Sequence, residues 1–434
     1  MTAVGFERNA MASARAFGLP QFRYALVREV MTGLTPQQIE QQVTEACDQI
    51  IEVLTTDPEG DRGITQRIKP AERMTIEGPD SYGAFENMNQ QFLEAEWGDG
   101  FLLTPPTPEK VELMLKGTTL DRNHVVTVLA PGSGIATVEK IAINAVMAGC
   151  LPAHLPILIA TCEAYMGVGD RVRALAMSTS AFAPMMVING PIARQLGINS
   201  KQCALGPGLQ SRQNIVLGRA LRLMMINIGN CRPGKMDMDT IGSARKFSMC
   251  VAENEEETPW QPFHVEKGYD KDASTVTIFS TRDEIDVNDL NNFTPEGVLR
   301  SFAFYGAIPG GEYLEKIHSG EDPGYLHMLM MCPEHAHICA SAGWSKKAVR
   351  EYVHMECRAS ARRLFNKSRN APDKVRTHWK WLLKLSDREL DEVIMPVVEN
   401  ANDYEIVVVG GPAGKNMIYR CMSRSSTAVI KDRA

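Results

Sequence analysis

Several side chains in this chain have the types and spacing to do chemistry. Cys162 stands beside Glu163, a thiol and a carboxylate that can act as nucleophile or metal ligand with an acid/base partner. An adjacent negative charge raises a thiol pKa, so an inert thiol is the plainer reading. His264 lies two residues before Glu266, and on a strand the two share one face, a usable metal or proton-transfer pair. Asp237 and Asp239 have the same spacing; on an extended segment they can hold a hard cation or divide acid and base roles, and otherwise they form a solvated loop. Arg219, Arg222 and Arg232 carry the charge needed to hold a carboxylate or phosphate, or else make surface ion pairs. His335 is a further metal-ligand candidate, because on a helix His337 diverges from it and suits packing or capping.

These groups need elements to position them. Residues 125–130 are β-prone and 137–148 read as a helix, with Gly132, Ser133 and Gly134 between them. Amides at such a helix start, with Ser133 and Gly134 at the turn, can receive an anion; a tight strand-to-helix turn is the equal alternative, since the motif is neither GxGxxG nor a Walker sequence. Residues 155–160 read as a second buried strand. That strand–helix–strand order predicts a parallel α/β unit with a right-handed crossover and puts Cys162 and Glu163 at the strand's C-terminal edge. Another strand over 185–189 ends at Asn189, whose amide would face the same mouth. A turn and then a helix fill 204–230, carrying Arg212, Arg219 and Arg222. Strands are expected over 274–280 and 406–409, and helices over 36–56, 81–93 and 109–115, with others starting at Thr294-Pro295 and Ser345. Region 181–279, dense in Gly, Pro, Asn, Arg and acids, suits a concave site.

Composition narrows the class. The 434 residues carry 46 Lys plus Arg against 52 Asp plus Glu, a formal charge of -6 with no large basic block, which disfavours a nucleic-acid partner. Lysines and arginines around Trp379 and Trp381 make a local basic field, but acids from Asp387 onward break it. Ten irregularly spaced cysteines without a CxxC fit free thiols in a reducing cytoplasm. No secretory h-region or uninterrupted apolar span is visible, so a cytoplasmic protein without a membrane partner is expected. The expected architecture is α/β: mostly parallel or mixed sheets flanked by helices, with an N-terminal helical extension. Its parts are a helical segment over 1–78, a first α/β domain over 79–280 and a second over 281–434.

Four long blocks carry a family resemblance: WGDGFLLTPPTPEKVELML, APGSGIATVEKIAINAVMAGCLPAHLPILIA, NGPIARQLGIN and GRALRLMMINIGNCRPGKMDMDTIG. From near Trp97 onward the chain resembles a bacterial family associated with UGSC-like domains, named for a selenocysteine-or-cysteine, Gly, Ser, Cys motif. The stretch ARAFGLPQFRYALVREVMTGLTPQQIEQQVTEACDQIIEVL looks like the downstream tail of such a domain. No UGSC or CGSC sequence occurs here. The resemblance therefore implies a homo- or hetero-oligomer with a UGSC-like subunit supplying the reactive half, or a chain whose family thiol chemistry is absent.

The functional expectation is a subunit of a heteromeric enzyme acting on a small anionic substrate by thiol-linked or metal-assisted lyase or oxidoreductase chemistry. Arg219, Arg222 or Arg232 would hold charge and Glu163 or His264 would move a proton. Cys162, Cys231 or Cys250 would supply a thiol, and Asp237, Asp239, His264 and His335 are the metal-ligand candidates. A divalent metal ion is the one cofactor these residues point to. The alternatives are a non-catalytic scaffold or specificity subunit for a UGSC-bearing partner, and a metal-dependent hydrolase.

Overall fold

The computed structural model describes residues 2–4, 7, 10–11, 23–28, 34–56, 73–307, 312–314, 324–365 and 372–431. Two two-residue strands, β1 (Thr2–Ala3) and β2 (Leu26–Val27), precede helices α1 (Pro36–Glu45) and α2 (Cys47–Thr55). The expected continuous helix over 36–56 is thus interrupted at Ala46, while its start at Thr35 is a full capping box with Gln38. Helices α3 (Ser81–Glu94) and α4 (Pro108–Leu115) lead into a hairpin of β3 (Val125–Leu129) and β4 (Gly134–Thr137). Next come α5 (Val138–Ala148), α6 (Leu155–Gly167), α7 (Arg171–Ala176), β5 (Ala183–Asn189), α8 (Pro191–Gln195), α9 (Arg212–Asn227), β6 (Cys250–Ala252), α10 (Phe263–Glu266), β7 (Thr275–Thr281) and β8 (Ile285–Asn288). The remainder used below is α11 (Pro295–Gly306), β9 (Leu326–Met331), α12 (Pro333–Ser341), α13 (Lys346–Glu356), β10 (Arg358–Ser360), β11 (Ile394–Pro396), β12 (Tyr404–Val408), β13 (Lys415–Cys421) and β14 (Ser426–Val429). No helix among the described residues is long and apolar enough to cross a membrane.

The body is an α/β fold around one mixed eight-stranded sheet, with the main path β12-β9-β13-β7-β5-β6. Only β5–β6 and β9–β12 pair in parallel; the other pairings are antiparallel, so the sheet is mixed rather than mostly parallel. The path reads as two similar halves. Each has a parallel pair joined through helices, with an antiparallel strand on the far side of the first strand. Glu253 N–H donates to Ile188 in one half, and Val409 N–H to Met331 in the other, as matching bonds just past the strand ends.

The sheet coils until its edges approach, and the Asn254 N–H, just past β6, donates to the Val408 carbonyl of β12 at 2.8 Å. Alternation along the strands sorts the side chains. Met185 and Val187 of β5, Met328 and Met330 of β9, Val407 and Tyr419 face a common interior, which Phe263 of α10 also enters. Met186 and Ile188 face the opposite way, onto a core built with α5, α6 and α9, whereas Leu329, Met331, Ile406 and Val408 pack under α11 and α13. Burying each such side chain contributes roughly 1.5–3 kcal/mol before conformational entropy is counted. The sheet spans the boundary expected near 280: β7 pairs with β13 and β14, and Ile430 lies in the core formed by 79–280.

Residues 155–160 are not a strand. They open α6, a thirteen-residue helix with Pro156 in its first turn, and Leu155, Ile157, Leu158, Ile159 and Ala160 are all buried. A helix covered on nearly every side has no polar face, so its apolar run imitates a buried strand. The strand–helix–strand unit expected over 125–160 is instead a hairpin followed by two helices.

Candidate functional site

The C-terminal ends of β5 and β6 bring together a buried polar group. β5 ends in Asn189, and the chain leaves β6 as Glu253, Asn254 and Glu255. Asn189 is fully buried, and its Nδ2 has two hydrogens for two carboxylates: it donates to Glu253 Oε2 at 2.5 Å and to Glu255 Oε1 at 2.9 Å. Glu253 Oε2 also accepts the Phe263 N–H at 2.6 Å, and Glu255 Oε1 the Gly190 N–H at 2.6 Å. One turn of helix, α10, fixes His264 beside them, with Nδ1 3.7 Å from Glu255 Oε1 and Nε2 3.4 Å from the Lys271 carbonyl.

Across the seam, α13 begins after the Ser345 cap and presents Lys346, whose Nζ lies 3.9 Å from Glu253 Oε1 and 3.2 Å from Glu266 Oε2. Arg350, one turn on, binds Glu266 and donates to the Tyr404 carbonyl at 2.8 Å. Within this group Asn189 Oδ1, Glu253 Oε1, His264 Nδ1 and Lys346 Nζ are buried and make no aligned hydrogen bond. Buried polar atoms in this condition are costly and are characteristic of sites that do more than pack. Glu255, with a side chain 15% exposed, is the cluster's open edge, whereas Glu253 is 3% exposed and His264 fully buried.

Burial raises the Glu253 carboxyl above the ordinary carboxylate range, against the Lys346 ammonium and the Phe263 and Asn189 donors that favour its charged form. Burial also opposes ionisation of Glu266, but there Lys346 and Arg350 prevail and hold the carboxyl below its usual value. The two have opposite consequences for stability. The contribution of Glu253 is complete below the unfolded value of about 4.3 and is lost as pH rises through its elevated folded value. That of Glu266 is present above about 4.3 and is lost as pH falls through its depressed one. Urea unfolding of Glu253→Gln between pH 4.5 and 8 should therefore show a flatter decline with rising pH than the wild type, while Glu266→Gln flattens the acid limb. An unchanged alkaline slope in Glu253→Gln would show that Glu253 is ionised throughout.

Of the residues singled out from sequence, the fold unites Asn189 and His264 around Glu255 and leaves the others elsewhere. His264 and Glu266 do not share a strand face: they lie two apart on the single turn α10, with His264 toward Glu255 and Glu266 toward α13. Cys162 is buried inside α6 with its Sγ 3.8 Å from Met224 Sδ, and burial, aided by Glu163, pushes its thiol up to about 12. Glu163 itself is exposed, because consecutive residues on a helix point about 100° apart and cannot form one site. Burial likewise raises Cys231 to about 12 and lifts Cys250 and Cys150 further, so these thiols are packed rather than activated.

The arginines are committed to structure. Arg219 clamps Asp99 through Nε at 2.6 Å and Nη2 at 2.9 Å, and donates to the Leu102 carbonyl at 2.9 Å, which fastens the WGDGFLL loop to α9. Arg222 donates to Asp237 Oδ2 at 2.7 Å, and Arg232 shares Glu96 with Lys235. Asp237 and Asp239 lie in a loop, and the cation between them is the protein's own: Lys246 Nζ is 2.8 Å from Asp237 and 2.7 Å from Asp239. His335 is buried on α12 against Asn416 Nδ2 at 2.7 Å, apart from His264 and from both aspartates. Among the described residues no three His, Cys, Asp or Glu side chains gather to hold a metal ion.

Ser133 and Gly134 also take a structural role. They end the β3–β4 hairpin turn, and the α5 amides expected to receive an anion are taken: Val138 donates to His124, Glu139 to Arg122 and Lys140 to Thr137 Oγ1. Ser133 Oγ accepts from Arg173 at 2.7 Å. A Cβ at Gly134 would stand 1.7 Å from the Ile228 carbonyl oxygen, so this glycine lets the hairpin lie against the end of α9. Gly134→Ala should cost about 3 kcal/mol, the upper range for overpacking, read as a lower urea midpoint.

Glu253, Glu255 and Lys346 were not visible as site residues in the sequence. The available signal was the acid run after a short apolar strand, ending at a strand's C-terminal edge, where open sheets place ligands. No protein-family model, curated protein or solved structure matches the chain.

Proposed function

We propose that this chain is an enzyme subunit that performs acid–base lyase chemistry on a small anionic substrate at the seam between the β5–β6 pair and α13. The observation that carries this reading is the convergence of a carboxyl held up by burial, Glu253, with the Glu255–His264 pair on a single bridging amide, Asn189. A carboxyl whose burial favours its neutral form suits the acid role, and a second carboxylate at the open edge of the same group suits the base. Glu255, at the open edge, takes a proton from the carbon beside the substrate carboxylate, with His264 Nδ1 next to it to share that proton. The electron pair of the broken C–H bond forms the new C=C bond, and Glu253 gives its proton to the departing oxygen or nitrogen. Lys346 offsets the added negative charge.

Thiol chemistry finds no support in Cys162, Cys231 or Cys250, so in the heteromeric form of the proposal any thiol comes from a UGSC-bearing partner. The hydrolase reading draws none from Asp237 and Asp239, whose charge Lys246 already offsets. A scaffold role keeps one favourable observation: Phe101 and Phe247 are exposed and in edge-to-face contact at 5.0 Å, and Leu102 beside Phe101 is exposed as well.

The test is proton exchange. The chain, purified with whatever subunit accompanies it, is incubated in D2O with hydroxy- and amino-dicarboxylates, and deuterium beside the carboxylate is followed by NMR. The proposal expects incorporation with at least one substrate, reduced at least 100-fold in both Glu255→Gln and Glu253→Gln, with folding unchanged. Exchange that survives both substitutions, or none with any substrate, would leave the scaffold reading.

A further inference from the structure

Helix α11 carries a surface that the seam does not use. Its Val298, Leu299, Phe302 and Ala303 are buried, which leaves Gly297, Arg300, Ser301 and Phe304 together on the opposite side at helical spacing. Phe304 is 79% exposed, and Phe293, in the loop that enters the helix, 76%. Large apolar side chains gathered on a surface in this way mark a contact. Asn292, Gly297, Arg300, Ser301, Phe304 and Tyr305 line a shallow groove of about 310 Å³ on this face. Its walls are held in place: Asn292 Nδ2 donates to Asp289 Oδ2 at 2.8 Å, and the Phe304 and Tyr305 rings meet edge to face at 5.5 Å. A Cβ at Gly297 would stand 2.5 Å from Asn292 Oδ1, so glycine lets the entry loop lie against the helix.

Charge selects the partner. Glu296 and Arg300 stand one turn apart and flank the apolar residues on the same side. The Arg300 side chain is 66% exposed and leans toward Glu356 of α13, with Nε 3.8 Å from Oε2, whereas Glu296 is exposed and makes no ion pair among the described residues. A helix so charged is complementary to itself once reversed. Packed antiparallel about a two-fold axis level with Val298, Glu296 faces Arg300 of the partner subunit, the same pair recurs by symmetry, and Phe304 meets the Asn292–Phe293 end of the second groove. Parallel packing would instead set Glu296 against its own copy. We propose that two copies of this chain pair through α11 in the antiparallel arrangement. A contact of one helix and its entry loop lies at the small end of specific interfaces, so the dimer belongs to micromolar rather than nanomolar concentrations.

Sedimentation velocity of the full chain from about 2 to about 200 µM tests this, with a dissociation constant on the order of 10 µM expected. Phe304→Asp should weaken association at least tenfold without moving the unfolding midpoint, since that side chain lies mostly in solvent. Glu296→Arg and Arg300→Glu should each weaken it as well, and the two combined in one chain should restore an affinity within about threefold of the wild type, because each reversed charge then meets the other across the axis. A wild type that stays monomeric at the highest concentration would overturn the proposal. So would a dimer indifferent to Phe304→Asp, or a double variant no tighter than either single one. Seam substitutions should leave the association unchanged, which separates it from the proposed lyase chemistry.

Discussion

Lys346→Met is expected to lower stability by roughly 3–5 kcal/mol, the scale for removing one partner from a buried ion-pair network. Lys346 is the cation common to Glu253 and Glu266, and its own burial leaves no route for water to replace it. After the substitution Arg350 still holds Glu266, but Glu253 faces methionine across the seam. The penalty should shrink as pH falls, because a protonated Glu253 no longer needs the ammonium. Chemical unfolding at pH 7 and pH 4.5 checks both statements. Adding Glu253→Gln to Lys346→Met should recover part of the loss, since a glutamine oxygen can still accept from Asn189 and Phe263. A loss that is the same at both pH values and unrelieved in the double variant would mean that Lys346 acts by packing its aliphatic stem.

What the sequence revealed here was mostly local. Helix starts at Thr35, Thr107, Thr294 and Ser345 were legible because the cap and the amide it satisfies lie within four residues of each other. Strands such as β5 and β7 announced themselves by β-branched and apolar runs bounded by turns. Helix α6 did not, because burial on nearly every side erased the period that separates helix from strand. The same limit governs the site. Asn189 and His264 could be picked out as polar residues beside strands, but their meaning depends on Glu253, Glu255 and Lys346. Lys346 reaches them only because the sheet coils and lays α13 across its seam. Arg219 and Arg222 show the converse error: charge on a helix read as ligand-binding capacity was already consumed by Asp99 and Asp237, partners far along the chain or across a loop. Sequence spacing names the groups that can do chemistry, while tertiary pairing decides which remain available for it.

That distinction makes Lys246→Met the sharpest test of the Asp237–Asp239 loop. Asp237 accepts from Arg222 Nη2 at 2.7 Å and from Lys246 Nζ at 2.8 Å, and Asp239 relies on Lys246 at 2.7 Å together with the Ile241 and Gly242 amides. Burial works against the charge on Asp239, yet Lys246 and those amides hold its carboxyl below the usual value. Removing the ammonium leaves two nearby carboxylates with Arg222 alone beside them, and a loss of roughly 3 kcal/mol or more is expected at pH 7. The pair then approaches the composition of a hard-cation site, oxygen ligands with Arg222 as the one remaining counter-ion beside them. Millimolar Ca2+ or Mg2+ should accordingly raise the unfolding midpoint of Lys246→Met and leave the wild type unmoved. If divalent cations stabilise both proteins alike, Lys246 does not occupy the position of the cation, and the two aspartates return as metal ligands.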